Sequence, residues 1–199
     1  MRWQNLFDDL ESQLASELGA DEVDLLAEEE RLRLGRLTLR DRLRAVHAGA
    51  AAGGAGEPVA LSLRGDERVA LRIAAIGRDW VAGETDAGPL RSAIVPLAAI
   101  ATLEPAGDQL AGSLRVDSAP EPPTALSARL GLAFVLRDLC RRRAAVELVV
   151  AGQRRHGTID RVGRDHLDLA EHPPGEPRRT AAVSRIRIVA FAALDLVRF

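Results

Sequence analysis

Apolar positions in the first eighteen residues recur at spacings of three and four. Trp3, Leu6, Phe7, Leu10, Leu14 and Leu18 form one stripe, and Asp8, Asp9, Glu11 and Glu17 take the rest of the surface. This period predicts an amphipathic helix that stops at Gly19. A second helical stretch is expected from about Ala20 to Leu34, acidic early and arginine-rich late, the order that suits the helix dipole. Thr38 and Asp41 form a capping-box pattern with aspartate as the acid, opening a short helix through Leu39, Leu43 and Val46. Residues 48–57 are small and glycine-rich and read as a flexible connector.

The period then changes. Val59, Leu61 and Leu63 alternate with Ala60, Ser62 and Arg64, as in a half-buried strand. Gly65-Asp66 and Gly77-Arg78-Asp79 are turn sequences, and Trp80-Val81 opens a further strand. Residues 105–123 hold four prolines and read as a linker; a helical pattern with Leu126, Leu130, Phe134 and Leu139 follows.

The strand-rich region occurs twice. Val59, Leu61 and Gly65 stand 87 positions before Val146, Leu148 and Gly152. Ile73, Ile76, Gly77, Arg78 and Asp79 stand 86 before Ile159, Val162, Gly163, Arg164 and Asp165. Carrying that offset of 86 to the end matches Leu97 and Ile100 to Val183 and Ile186, which places Ile186 in the last strand. Internal repetition of this length defines an architecture. Each copy is preceded by a helix.

The order of strand, glycine turn, long strand, acidic turn, strand and a short final pair resembles the Sm-like superfamily of five-stranded barrels. The second copy carries the resemblance at Gly152, Gly157, Ile159 and Val162. A glycine inside a long strand allows the sharp bend that serves both sheets of a tiny barrel; the first copy has Leu71 there. The resemblance implies an α+β chain with two small five-stranded Sm-like barrels, each preceded by a helix, behind an N-terminal helical region. The expected divisions are a helical region over 1–47, a first barrel over 58–104, a linker over 105–123, and a helix plus second barrel over 124–199. The uridine-contacting residues of the family are not carried over, since Gly163 stands where the turn aspartate is expected and Leu167 near where the asparagine would fall.

Composition narrows the function. Hydrophobic residues at 47% and charged residues at 28% describe a folded globular chain. No apolar run approaches the roughly 18–20 residues of a membrane-spanning helix. The acidic N-terminal segment lacks a signal-peptide core, so a cytoplasmic location is expected. Cys140 is the only cysteine, which rules out an internal disulfide. Every non-histidine base is arginine, as in a chain encoded by GC-rich codons. Residues 1–47 hold 7 Arg and 11 acids, whereas residues 124–199 hold 14 Arg and 8 acids. The basic half is a candidate surface for phosphate, and Arg141, Arg142, Arg154 and Arg155 are the candidate nucleic-acid contacts. Six aromatic residues, none of them tyrosine, offer few base-stacking platforms.

No nucleotide loop, nucleophile elbow or HExxH motif is present. Asp160, Asp165 and Asp168 lie near His156 and His166, but the equivalent positions of the first copy include Ala74 and Ala82. Surface and turn roles are expected for these acids, and an exposed loop position for His172. No catalytic residue, metal or cofactor is expected. The leading expectation is a non-catalytic cytoplasmic interaction or scaffold protein, with Trp3, Leu6, Phe7, Leu10 and Leu14 contacting a protein partner or a second copy. The alternative is a sequence-tolerant RNA-binding, or otherwise nucleic-acid-binding regulatory, protein that uses the second barrel.

Overall fold

The computed structural model describes residues 23–53, 57–86, 88–114 and 126–199. The predicted Trp3–Leu18 stripe, including Leu6, Phe7, Leu10 and Leu14, lies outside the described residues. The chain divides into two compact units, residues 1–38 and 39–199. In the first, residues 23–35 form helix α1. Glu28 pairs with Arg31 at 3.2 Å and Glu30 with Arg33 at 2.6 Å, the spacing at which helical side chains meet.

The second unit is α+β. Helix α2 (Leu39–Gly53) precedes β1 (Val59–Leu63), β2 (Arg68–Ile76), β3 (Trp80–Glu84), β4 (Ser92–Pro96) and β5 (Ile100–Glu104). Helices α3 (Gly107–Leu114), α4 (Leu126–Arg129) and α5 (Leu132–Arg141) follow. The strands β6 (Ala145–Val150), β7 (Gln153–Val162), β8 (His166–Glu171), β9 (Arg185–Ala190) and β10 (Leu194–Arg198) complete it. All strand pairs are antiparallel, in one open sheet of order β5-β1-β2-β3-β4-β10-β6-β7-β8-β9. The order repeats: β10, β6, β7, β8 and β9 run as β5, β1, β2, β3 and β4 do. We call β1–β5 the first half and β6–β10 the second.

The long strand of each half is shared between two neighbours. β2 pairs with β1 through Arg68–Leu71 and with β3 through Arg72–Ile76; β7 divides at Gly157 and Thr158. Crowding at that division explains the glycines. A Cβ on Gly157 would collide with the carbonyl oxygen of Ala170 across the ladder. The first half relieves the same crowding from the facing strand, where a Cβ on Gly83 would collide with the Arg72 carbonyl. Leu71 is therefore tolerated opposite Gly157 in the repeat and is fully buried.

The two helices that precede the halves also correspond. Arg40 in α2 donates Nε to the carbonyl of Gly77 at 2.7 Å, and Arg137 in α5 donates to that of Gly163 at 3.2 Å. Leu43 and Val46 from α2 enter one core, and Leu132, Leu136 and Leu139 from α5 enter the other.

Four expectations are corrected. The repeat offset does not stay at 86: Trp80 and His166 occupy matching places, but their ladder partners are Pro96 and Ala190, 94 apart. The loop 172–184 carries the extra residues, so Ile186 belongs to β9, the counterpart of β4, and not to the last strand. Residues 48–53, expected in a flexible connector, continue α2, because the run is mostly alanine, the best helix former. The expected linker 105–123 contains α3, tied to α2 where Arg42 donates to Ser113 Oγ at 2.8 Å. The helix expected after Thr124 is broken between α4 and α5 at Leu130–Gly131, and Phe134, within α5, is exposed.

Val placed at Gly157 puts a branched side chain against the Ala170 carbonyl, so Gly157→Val should lose more than about 3 kcal/mol in urea unfolding. Gly112→Ala, in α3 with open space beyond its Cα, should be neutral or gain up to ~1 kcal/mol in the same assay.

Candidate functional site

The two halves meet where β10 runs beside β4. Val197 faces Ile94 and Arg198 faces Ala93, and Ser92 and Phe199 exchange both main-chain bonds at 3.2 and 3.0 Å. The cores interpenetrate across this seam. Val149 and Leu196 of the second half pack in the core of the first, and Trp80 and Ile94 of the first pack in the core of the second. The indole of Trp80 donates to the Leu130 carbonyl at 3.0 Å, while Asp79 Oδ1 accepts the Leu132 N–H at 2.7 Å and so caps the start of α5.

An ionic quartet centred on the buried Arg198 bridges the seam. Arg198, 4% exposed, donates Nη1 to Glu147 at 2.7 Å and Nη2 to Glu67 at 2.9 Å. Arg154 closes the ring, with Nη2 on Glu67 at 2.9 Å and Nη1 3.6 Å from Glu147. His156 Nε2 lies 3.4 Å from the other Glu147 oxygen. Nearby, Arg64 pairs with the buried Asp195 at 3.2 Å, and Asp195 accepts the Gly152 N–H at 3.3 Å. The turn glycines of both halves touch there: both lie in the left-handed region, and a Cβ on Gly65 would stand 3.1 Å from Gly152 Cα. The buried Nε of Arg198 meets no acceptor among the described residues.

Beside the quartet opens a cleft of about 330 Å³ between residues 88–90, β6, β7 and the loop 172–175. Its walls are mostly apolar, with Glu147, Arg154, His156, His172 and Arg198 as the polar groups. His172 is not on an exposed loop as expected; it is 6% exposed, because Thr158 Oγ1 lies 2.9 Å from its Nε2 and the Pro173 carbonyl 3.1 Å from its Nδ1. Thr158 is itself 2% exposed and lies outside the cleft wall, so this hydroxyl–imidazole pair fastens the loop to β7 without presenting a nucleophile. Among the described residues no cluster of histidine, cysteine or carboxylates could hold a metal ion. Cys140 is half-buried, and its thiol lies 3.4 Å from the Asp160 carbonyl.

The four candidate phosphate-binding arginines fall in two places. Arg141 and Arg142, at the end of α5, both pair with Asp138, at 2.5 and 2.7 Å. Arg154 belongs to the quartet, and Arg155 lies 3.8 Å from Glu171 beside a bond to Gln153. Glu171 is the centre of a group that sequence reasoning missed, since it also holds Arg187 at 2.7 Å and Arg185 at 3.6 Å. The bond from Arg187 holds the Glu171 carboxyl below its usual range, with Arg155 and Arg185 adding to the effect. The paired bonds from Arg178, at 2.7 and 2.6 Å, lower Asp160 in the same way. A period-2 reading of β7 to β9 places these groups on one face, which was the available signal; the shifted offset hid it.

The outer strands of the sheet are β5 and β9. β9 pairs only with β8 among the described strands, and Ile186 and Ile188 on it are 53% and 73% exposed. The repeat makes Ile188 the counterpart of Ile94, which is 0% exposed because the second half covers it. No described helix is long and apolar enough to cross a membrane.

Arg198→Met should cost roughly 3–5 kcal/mol, because it removes the buried partner of the Glu147 and Glu67 carboxylates and leaves them the half-exposed Arg154. Arg154→Met, at a half-exposed position, should cost under about 1 kcal/mol; the pair is compared by urea unfolding at pH 7. Depressed carboxyls stabilise the fold fully above their unfolded values of about 3.9 and 4.3, and that contribution is lost as pH falls through the lower folded values. The stability difference between the native chain and Arg178→Gln should therefore be constant from pH 6 to 5 and shrink below about pH 4. No family model, curated protein or solved structure matches this chain.

Proposed function

We propose that the chain is a non-catalytic interaction or scaffold protein of the cytoplasm, built from two tandem small five-stranded barrels that resemble the Sm-like superfamily. Three features support the barrel reading. Each half has the same cyclic strand order, each has a long second strand divided between two neighbours, and each has a left-handed glycine turn after its first strand. A single observation carries the functional reading. The terminal strand β9 holds Ile186 and Ile188 out to solvent on a sheet edge that no other described strand pairs. Edges of that kind are normally shortened, charged or covered, and an apolar one marks a place where another strand pairs.

RNA binding is the second reading. It is favoured by the Glu171 cluster, where three arginines surround one carboxylate and leave a net positive charge beside β9. Against it, each of Arg141, Arg142, Arg154 and Arg155 already meets a carboxylate of the chain.

A photo-crosslinking residue placed at position 188 in cells should yield protein adducts. The same residue at Asp86, 76% exposed and in the first half, should yield few. Adducts to RNA alone, or equal labelling at both positions, would overturn the interaction reading in favour of RNA or of no edge partner.

A further inference from the structure

The repeat shows which side chains the fold itself requires. In the second half Arg198, Glu147 and His156 stand in one cross-strand row over β10, β6 and β7. The matching row of the first half, over β5, β1 and β2, is Glu104, Ala60 and Ala70, and both alanines are exposed. The first half therefore folds with no ionisable group where Glu147 and His156 stand. The loop after β8 differs as well, spanning residues 172–184 against 85–91 after β3. It is fastened by Thr158 to His172 at 2.9 Å and by Asp160 to Arg178 at 2.6 Å, whereas Arg72 and Ala74 hold those two strand positions in the first half. Both departures from the repeat meet at the cleft of about 330 Å³, where the row supplies the polar wall and the longer loop contributes His172, Pro174 and Gly175.

We propose that this cleft binds a small monocarboxylate with an apolar body, its carboxylate at Arg154 and His156 and its body among Leu90, Val146 and Pro174. The volume lies at the lower end of the roughly 300–1,000 Å³ of small-molecule sites, which are mostly apolar with a few placed polar groups. The free hydrogen-bonding capacity of the wall is on the donor side. Glu147, its one acid, is already held by Arg198 at 2.7 Å. Arg154 is half-exposed and spends only Nη2 on hydrogen bonds, both to Glu67, while its Nη1 stands 3.6 Å from Glu147, too far for one. A planar, two-oxygen acceptor suits the guanidinium fork that remains. His156 lies two residues along β7 and so shares the face of Arg154.

Charge sets the ligand class. The wall carries two arginines against one glutamate, and Glu67, which balances the second arginine, is not part of it. A single negative charge is thus matched, a cation meets no free carboxylate, and a multiply charged phosphate would face Glu147 and Glu67 at close range. The His172 ring is no competitor for the ligand, since Thr158 and the Pro173 carbonyl engage its two nitrogens. The cleft also joins the halves, because residues 88–90 come from the first and the remaining walls from the second. A molecule held there touches both and stabilises the seam by mass action. This site goes beyond the interaction reading and does not depend on β9 having a partner.

Titration of the full chain with benzoate and with hexanoate, followed by calorimetry, should give a Kd tighter than about 1 mM for at least one of them. The same acid should raise the melting temperature. Its uncharged amide, benzamide or hexanamide, should bind roughly tenfold more weakly or worse. Arg154→Gln should weaken the acid by a similar factor, and Ala145→Trp, which fills the cleft from an exposed wall position, should abolish binding; both are checked for folding by circular dichroism. Arg161→Gln, with its side chain 85% exposed and outside the cleft wall, should leave the affinity unchanged. The proposal is overturned by the absence of heat and of any melting shift with both acids at millimolar concentration. Equal binding of the amide, or binding of the acid that Arg154→Gln leaves intact, overturns it too.

Discussion

The pairing of β4 with β10 is the constraint on which the rest of the second unit depends. Only a few residues of each strand take part in the ladder, yet Val149, Leu196, Trp80 and Ile94 each cross it to fill the other half's core. Neither half is complete alone. Removing the second would expose Ile94 and the indole of Trp80, and removing the first would open the core around Leu194 and Val197. A repeat of two small sheets therefore becomes one cooperative body, because each half buries apolar surface that it cannot cover itself.

The ionic quartet fixes how that seam is set. Burying Arg198 between Glu67 and Glu147 costs desolvation, and a well-packed apolar set could match it in stability. Its geometry gives it another use. Glu67 follows the first turn of one half and Arg198 ends the last strand of the other, so their bond forms only when the strands are in one register. A slip by one residue would turn Arg198 to the opposite face of the sheet and leave two carboxylates without it. The contact of Gly65 with Gly152 acts in the same sense, since both turns take the left-handed conformation that glycine adopts freely and a Cβ on Gly65 would crowd Gly152.

Much of this was legible in the sequence. The helices α1 and α2, the glycine turns, the strands up to β8 and the duplication itself follow from period and turn chemistry at Leu43, Gly65, Gly77, Gly157 and Gly163. The end of the second half did not. The segment from Val183 to Val189 holds enough apolar residues that a displaced register still sets apolar residue against apolar residue, and only the strand ladder reveals the offset of 94. The same shift hid the Glu171 cluster and the correspondence of β9 with β4. The seam was invisible for a different reason: Glu67, Glu147, Arg154 and Arg198 are spread over 132 positions and carry no spacing that marks them as neighbours. His172 shows the limit of loop chemistry, because its prolines predict a turn correctly while a single hydroxyl, Thr158, draws the ring inside.

The character of the two open edges follows from the repeat as well. β5 carries Thr102, Glu104 and then Pro105, the features that discourage an edge from accepting strands at random. β9 alternates Ile186 and Ile188 with Arg185 and Arg187, so its apolar side is attractive while its charge is of one sign. Two copies of β9 brought together would oppose arginine to arginine, and two copies of β5 would oppose acids and lose main-chain bonds at proline. An edge that looks like an aggregation hazard when taken alone is thus restricted by its own arginines, which favour a partner that carries acids.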